Sequence, residues 1–176
     1  PQYLEACPKG TQGLPAFNMA LEHDNMNVAK VLSDNGYVTG LVGKYHVGAG
    51  HSVGPAKNTP YSEKVNQQQY KGEKHGRELI KERGFDWAKN VYMGNLKSPF
   101  NAHNPEWTSA AALEFVTENK DKPFFLYYPT VIPHVALHVP DEELKPYLDQ
   151  KWNDPPFVRA NGYGYTPHFT PRAAYA

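Results

Sequence analysis

The chain has 176 residues and carries 18 Lys and Arg side chains against 18 Asp and Glu side chains, a length that suits one domain or part of a larger one. The balanced charge disfavours a general binder of nucleic acids or anionic membranes, which would need a strongly basic surface. With 14 Gly, 16 Pro and 40% hydrophobic residues, the composition predicts a loop-rich globular protein. The sequence has no apolar run near the roughly 20 residues of a membrane span, and its single cysteine excludes an intrachain disulfide.

The first part of the chain predicts a helix followed by a buried strand. Residues 1–23 contain several Gly and Pro residues without a sustained period, which predicts a loop. Asp24 or Asn25 is expected to cap a helix from Met26 to Asn35, where apolar residues recur at helical spacing. The apolar and β-branched run Tyr37–Gly43 is typical of a buried strand. These two elements form an αβ unit.

A second αβ unit is predicted further along the chain. Residues 44–74 are polar and rich in Gly, Pro and Asn, which predicts a long surface loop. A short helix over Arg77–Arg83 and an extended aromatic segment over Phe85–Tyr92 are expected next. The pattern of Glu106–Asn119 predicts a longer helix. The run Phe124–Tyr128 is apolar on both faces, as expected of a central strand covered by helices on each side.

One more helix is predicted after that strand. Pro140 and the acidic residues that follow it are typical of a first helical turn, and this helix is expected to run to about Leu148. Helices followed by buried strands make the fold class α/β, with a mainly parallel or mixed sheet flanked by helices. The expected organisation is a loop over 1–23, a helix, strand and site loop over 24–48, a long loop over 49–74, helices and a central strand over 75–150, and a loop with the start of a cut-off helix over 151–176.

Basic side chains follow both predicted strands at their carboxyl ends, where ligands bind in open α/β sheets. Lys44 and His46 come directly after the first strand. Because they are two residues apart, an extended backbone points both to the same side, where one anionic group can meet them. His134 follows the second strand, and imidazoles are the usual proton-transfer groups near neutral pH. The sequence therefore predicts an anion site from these three residues, with a surface-loop role for Lys44 and His46 as the alternative.

Other catalytic patterns have less support. His134 and His138 have the spacing of a zinc pair on a helix, but the prolines around them predict an extended backbone and therefore no zinc site. The sequence contains no phosphate-binding loop, no Gly-x-Ser-x-Gly elbow and no dinucleotide fingerprint. Nucleotide-dependent transfer and serine hydrolase chemistry are therefore disfavoured. Its aromatic and basic residues also form no nucleic-acid-binding pattern.

Three segments of the sequence resemble one family in the same order. The run Asn-Gly-Tyr-Val-Thr-Gly-Leu-Val-Gly-Lys-Tyr-His-Val-Gly at 35–48 resembles the segment in which arylsulfatase-type sulfatases carry Gly-Lys-Trp-His-Leu-Gly. The Lys-Pro-Phe-Phe-Leu-Tyr and Pro-His runs within 122–134 resemble a second segment, and Pro-Arg-Ala-Ala-Tyr at 171–175 a third. The resemblance implies an alkaline-phosphatase-like α/β fold and the hydrolysis of sulfate esters with a formylglycine and a calcium ion.

The same resemblance implies a role for each of the three basic residues. Lys44 would hold the sulfate and the formylglycine, and His46 would act as a base when the sulfated intermediate collapses. His134 would bind the substrate and protonate the departing alcohol. These roles are physically reasonable because the leaving oxygen gains negative charge, which a fixed cation and a protonated imidazole stabilise. Tyr45 replaces the usual Trp, a change expected to alter packing more than chemistry.

Some motifs of the family have no counterpart in the sequence. Cys7 is followed directly by Pro8 and has no arginine after it, unlike the family's Cys-x-Pro-Ser-Arg motif, so it is not taken as the formylglycine precursor. The aspartates and the Asp-Asn pair that bind calcium in the family are also missing, and no metal ligand is expected in this chain. The chain is therefore expected to be an internal portion of one sulfatase catalytic domain, inactive alone. The resemblance implies an exported protein, although the segment carries no signal peptide.

Three functions stay open at this point. The first is a sulfatase acting on a sulfated carbohydrate or an aryl sulfate. The second is a phosphomonoesterase, phosphodiesterase or phosphonate hydrolase of the same superfamily, because a pocket for tetrahedral anions discriminates poorly by charge alone. The third is a noncatalytic module that binds a glycan or an anion through Lys44, His46 and His134.

Overall fold

The computed structural model describes residues 21–47, 59–94, 104–132, 141–148 and 150. Within these ranges no helix is both apolar and long enough to cross a membrane. The elements in chain order are α1 (Val28–Asp34), β1 (Val38–Lys44), α2 (Glu63–Glu82), β2 (Trp87–Tyr92), α3 (Pro105–Asn119), β3 (Phe124–Tyr127) and α4 (Asp141–Leu148).

The three strands form one parallel sheet in the order β2-β1-β3, which confirms the predicted α/β class. Among the described strands β1 is central, because Leu41 pairs with Ala88 of β2 on one side and with Tyr127 of β3 on the other. The prediction that Phe124–Tyr128 is the central strand is therefore wrong within the described residues. Among the three described strands β3 lies at an edge, and its Tyr127 is 46% exposed. Both runs are apolar on both faces, so the pattern alone did not separate centre from edge.

Helix α1 ends three residues before β1 begins and is capped at both ends. Its N-cap is Asn27, whose side-chain oxygen accepts hydrogen bonds from the N–H groups of Ala29 and Lys30 at 3.0 and 3.2 Å. The prediction of Asp24 or Asn25 as the cap is wrong, because only the side chain at position 27 satisfies those first amides. At the other end, Gly36 follows the C-cap residue Asn35 and has φ +83°, the left-handed conformation that commonly ends a helix.

Helix α2 occupies much of the segment predicted as loop. The long loop predicted over 49–74 is wrong from Glu63 onward, and the predicted helix Arg77–Arg83 forms only the last turns of α2. The hydroxyl of Ser62 caps the start by accepting the Val65 N–H at 3.3 Å. Few residues of the helix are buried, and its polar sequence therefore lacks the broad apolar stripe that marks most surface helices. Its buried residues are Val65, Gly76 and Ile80.

The sheet is covered on both faces, which explains why the five interior residues of its central strand are all buried. One core lies on the face towards α1 and α2 and contains Ala29, Leu41, Tyr45, Ile80, Phe85, Ala88 and Val91. The other lies on the face towards α3 and contains Val42, Ala111 and Ala112, packed against Trp87, Leu126 and Tyr128.

A buried polar contact joins β1 to the start of β2. Thr39 is fully buried, and its N–H and Oγ1 both bond to Oδ2 of Asp86, at 2.8 and 2.9 Å. The other oxygen of Asp86 accepts the Ser33 hydroxyl at 3.0 Å. One carboxylate thus connects α1, β1 and the turn before β2.

The remaining predicted elements agree with the structure where it is described. The extended segment predicted over Phe85–Tyr92 is confirmed as β2, and the helix predicted over Glu106–Asn119 is confirmed as α3, capped by Asn104. The helix predicted to end near Leu148 is confirmed as α4. The loop predicted over 1–23, apart from its last three residues, and the segment predicted over 151–176 lie outside the described residues.

Candidate functional site

The candidate site lies at the carboxyl edge of the sheet, where β1 ends between its two neighbours. The N–H of Lys44 donates to the carbonyl of Pro129, just after β3, at 2.8 Å. The N–H of Tyr45 donates to the carbonyl of Tyr92, the last residue of β2, also at 2.8 Å. Lys44 is therefore fixed by its backbone between the ends of two parallel strands, at the edge where α/β sheets bind ligands.

Gly43 allows this close approach. Its φ is +98°, and a Cβ built on it would lie 2.3 Å from the carbonyl oxygen of Pro129. The ladder also changes register here, because Val42 pairs with Lys89 while Gly43 pairs with Val91. The extra residue on β2 is Asn90, with φ +52°, and such a bulge bends the strand and redirects the side chains that follow.

The side chains after Gly43 divide between the two faces of the sheet. Tyr45 is buried in the core towards α1 and α2. Because side chains alternate along an extended backbone, Lys44 and His46 lie on the opposite face, towards α3. A Cβ built on Gly94 would lie 3.8 Å from Cδ2 of His46, so this imidazole borders the end of β2. Lys44 is half-buried, and burial lowers its pKa from the ordinary value of 10.5.

The third predicted site residue, His134, lies outside the described residues, as does Cys7. The described chain leads towards His134 as far as Ile132, and it passes beside Lys44 at Pro129. The convergence of His134 with Lys44 and His46, and the roles of all three, stay predictions.

The described residues do not form a metal site. Among residues 21–47, 59–94, 104–132 and 141–148, no three His, Cys, Asp or Glu side chains are grouped so that they could hold an ion. The described donors near Lys44 and His46 thus do not by themselves fit the calcium ion that the resemblance implies, because calcium takes six to eight oxygen ligands.

Arg83 connects the end of α2 to the segment around His46 through Leu21, a connection that the sequence did not reveal. It is 6% exposed, and its Nε donates to the carbonyl of Leu21 at 2.8 Å. The N–H of Leu21 in turn donates to the carbonyl of Val47 at 2.7 Å, directly after His46. Arg83 also faces Tyr45, whose pKa is raised by burial and partly lowered again by this guanidinium. A buried arginine at the end of α2 therefore holds the segment that follows the candidate imidazole.

A cavity of about 400 Å³ adjoins the same edge on the α3 face. Tyr92, one of its walls, is the register partner of Lys44 in β2. Tyr128 and Thr130, on the far side of β1, flank Pro129, which accepts the Lys44 N–H. The cavity is lined by Tyr92, Asn104, Pro105, Thr108, Ser109, Tyr128, Thr130, Val131 and Ile132.

Comparison with known proteins gives one family. The family model described as Sulfatase matches residues 9–169, which includes every described element. No curated protein matches the chain.

Proposed function

Because the chain belongs to the sulfatase family, we propose that it forms part of a sulfuric ester hydrolase whose substrate is a sulfated carbohydrate or an aryl sulfate. The observation that carries the proposal is the position of Lys44, a half-buried cation fixed at the carboxyl edge between β2 and β3. Export, which is common in the family, is part of the same proposal.

The proposed role of Lys44 is to bind the sulfate group. Burial disfavours the charged ammonium, which is why the pKa of Lys44 is lowered. An anionic ester next to the amine would compensate this desolvation, and the attraction is stronger in a partly dehydrated site than in bulk water. Because Gly43 and Pro129 fix the backbone, the cation needs little reorganisation as charge develops on the ester.

The proposed roles of the two imidazoles are proton transfers at opposite stages of the reaction. His134 donates a proton to the alcohol oxygen as its bond to sulfur breaks. His46, on the same face as Lys44, accepts a proton when the sulfate is released. Proton donation by His134 spares the alcohol from departing as a bare anion, and proton removal by His46 assists the release of sulfate; both are general acid–base catalysis.

The role of Lys44 is tested by the change Lys44→Ala in the intact protein. We expect kcat on an aryl sulfate to fall about 10²-fold or more, the loss typical of removing one electrostatic stabiliser. Lys81→Ala, on the exposed surface of α2, is the matched control and should leave kcat unchanged. Unaltered turnover by the Lys44 variant would remove this residue from the site.

The role of His134 is tested by the dependence on the leaving group. His134→Ala should slow a sulfated sugar, whose alcohol is a poor leaving group, far more than an activated aryl sulfate. Equal losses on both substrates would contradict the general-acid role.

One further comparison separates the sulfatase from the two alternatives, a phosphate- or phosphonate-ester hydrolase and a noncatalytic anion-binding module. Sulfate and phosphate monoesters of the same phenol should be hydrolysed at different rates, with the sulfate preferred. Faster hydrolysis of the phosphate would favour a phosphatase, and binding without hydrolysis of either ester would favour an anion-binding module.

A further inference from the structure

The extra residue of β2, Asn90, lies beside the end of β1 and next to the candidate site. We propose that Asn90 is a positioning residue for the proposed hydrolysis. Its left-handed backbone and its side-chain bond to α3 place the end of β2, which in turn holds the segment that carries Lys44 and His46. This inference rests on the proposed sulfatase function and adds a residue that acts on the site through its neighbours.

Asn90 occupies a backbone conformation that few residue types adopt. Its φ is +52°, and among the described residues it is the only non-glycine residue with a positive φ. Asparagine enters this left-handed region more readily than most residues with a Cβ, whereas a β-branched residue is a genuine outlier there. Such strain persists only where the surrounding structure maintains it, and it clusters at functional sites.

The side chains around the bulge show what one extra residue achieves. Ala88 and Val91 both lie in the core towards α1 and α2, whereas Lys89 and Tyr92 both contact α3. Side chains alternate between the faces of a regular strand, so residues three positions apart would lie on opposite faces. The left-handed Asn90 resets this alternation. An extended residue at position 90 would instead turn Val91 out of its core and Tyr92 away from α3.

The side chain of Asn90 connects the bulge to the first turn of α3. Its Nδ2 donates to the carbonyl of Trp107, and the N–H of Trp107 donates to the side-chain oxygen of the N-cap Asn104 at 2.9 Å. The ring of Trp107 also contacts Tyr92 edge-on, with ring centroids 5.3 Å apart. Two separate contacts with Trp107 therefore hold the end of β2 against α3.

The end of β2 contacts the segment of the candidate site directly. The carbonyl of Tyr92 accepts the N–H of Tyr45 at 2.8 Å, and Tyr45 is flanked in the chain by Lys44 and His46. Two residues after Tyr92, Gly94 borders the imidazole of His46. A shift of β2 after position 90 would thus move the backbone between the two candidate groups, and a misplacement of about 1 Å can cost about 10²-fold in rate.

Two substitutions test the positioning role in the intact protein. Asn90→Val disfavours the left-handed backbone and removes the amide, and it should lower kcat on an aryl sulfate about 10²-fold while KM changes less than about 3-fold. Asn90→Gly keeps the left-handed backbone without strain and should lower kcat no more than about 10-fold, the worth of one hydrogen bond. In each variant kcat is referred to the folded fraction measured by circular dichroism, so that lost stability alone has no effect on it.

The matched control is Asn119→Ala at the opposite end of α3. It removes the same kind of bond, from a buried Asn Nδ2 to the carbonyl of Phe115 at 2.8 Å, and should leave kcat unchanged. If Asn90→Val does not fold, deletion of residue 90 replaces it, because the deletion keeps Val91 and Tyr92 on their present faces and should lower kcat similarly. Unchanged kcat, a change in KM alone, or equal losses in Asn90→Val and Asn90→Gly would overturn the proposal.

Hydrogen exchange tests the same contacts without turnover. The N–H of Tyr45, which Tyr92 accepts, should exchange at least about 10-fold faster in Asn90→Val than in the wild type. The rate is taken relative to the N–H of Val38, which donates to Pro123 at the other end of β1. Equal acceleration of both amides would show a global loss of stability, and a loss of kcat without faster exchange at Tyr45 would show a different route. Either result contradicts the assignment.

The two measurements separate this inference from the proposed function. If the wild-type protein hydrolyses no sulfate ester, the sulfatase function is wrong, and hydrogen exchange alone decides whether Asn90 holds the Tyr45 segment. If it hydrolyses sulfate esters and neither kcat nor the Tyr45 amide responds to Asn90→Val, the positioning role is wrong while the sulfatase function stands.

Discussion

Replacing Gly43 by alanine should destabilise the protein more than the same change at another left-handed glycine. A left-handed backbone costs an L-residue about 1–2 kcal/mol at either Gly43 or Gly36. At Gly36 the added methyl group meets nothing within 4 Å, whereas at Gly43 it would lie 2.3 Å from the Pro129 carbonyl oxygen. Carbon–oxygen contacts need about 3.3 Å, so the two strands must separate by about 1 Å.

That separation would break a specific hydrogen bond. The Lys44 N–H lies 2.8 Å from the same oxygen of Pro129, and a shift of about 1 Å takes it beyond hydrogen-bonding range. The lost bond adds roughly 1 kcal/mol. We therefore expect Gly43→Ala to lower the free energy of unfolding by about 2–3 kcal/mol, against about 1–2 kcal/mol for Gly36→Ala.

The measurement is urea denaturation of both variants of the intact protein, compared at equal m values. Turnover on an aryl sulfate provides the second readout, because Gly43→Ala displaces Lys44 whereas Gly36→Ala lies at the opposite end of the sheet. The reasoning would be refuted if the Gly43 variant were as stable as the Gly36 variant, or if both had the same kcat.

Three further predictions concern Lys44, Arg83 and Asp86. Burial lowers the pKa of Lys44 in the folded protein, so the unfolded chain binds this proton more tightly. The free energy of unfolding should therefore rise as the pH increases from the folded pKa to the ordinary value of 10.5. Denaturation measured across this pH range should lose that rise in Lys44→Met. Arg83→Met should lower kcat by up to about 10²-fold because it displaces the segment after His46, and Arg83→Lys should recover part of the loss. A rise in KM with kcat unchanged would argue against a positioning role. Asp86→Ala should lower the free energy of unfolding in urea by about 1–3 kcal/mol, because it leaves the buried N–H of Thr39 unpaired. The control Ser33→Ala removes only an exposed bond to the same carboxylate, and an equal loss in both variants would show that the burial argument is wrong.

The sequence was sufficient where one segment determines its own structure. The strand β1 and the helix α3 are confirmed because apolar spacing and caps are local signals. Helix α2 was largely missed because its polar, Gln-rich first half resembles a loop. Gly76, normally unfavourable in a helix, is accommodated there because the sulfur of Met93 lies 2.6 Å from where its Cβ would be. The contact between Gly76 and Met93 forms only when the segment containing β2 packs against α2, so the helix sequence by itself does not indicate it.

The candidate site was predictable in type but not in geometry. Placement of Lys44 and His46 after a buried strand could be inferred from order along the chain. The bulge at Asn90 could not, because it depends on which residues of β2 oppose Gly43. The role of Arg83 was hidden for the same reason, since its partner Leu21 is 62 residues away in the sequence. Contacts between distant segments, and not local propensity, determine these features.

The cavity wall and the cation come from different layers of the molecule. Ser109 projects from a helix, whereas Lys44 ends the central strand among those described. Under the proposed function, a lineage or a protein engineer could therefore exchange helix side chains around the cavity while leaving the strand that carries Lys44 untouched. Substrate range in such an arrangement can diversify by single substitutions, without each step sacrificing hydrolysis.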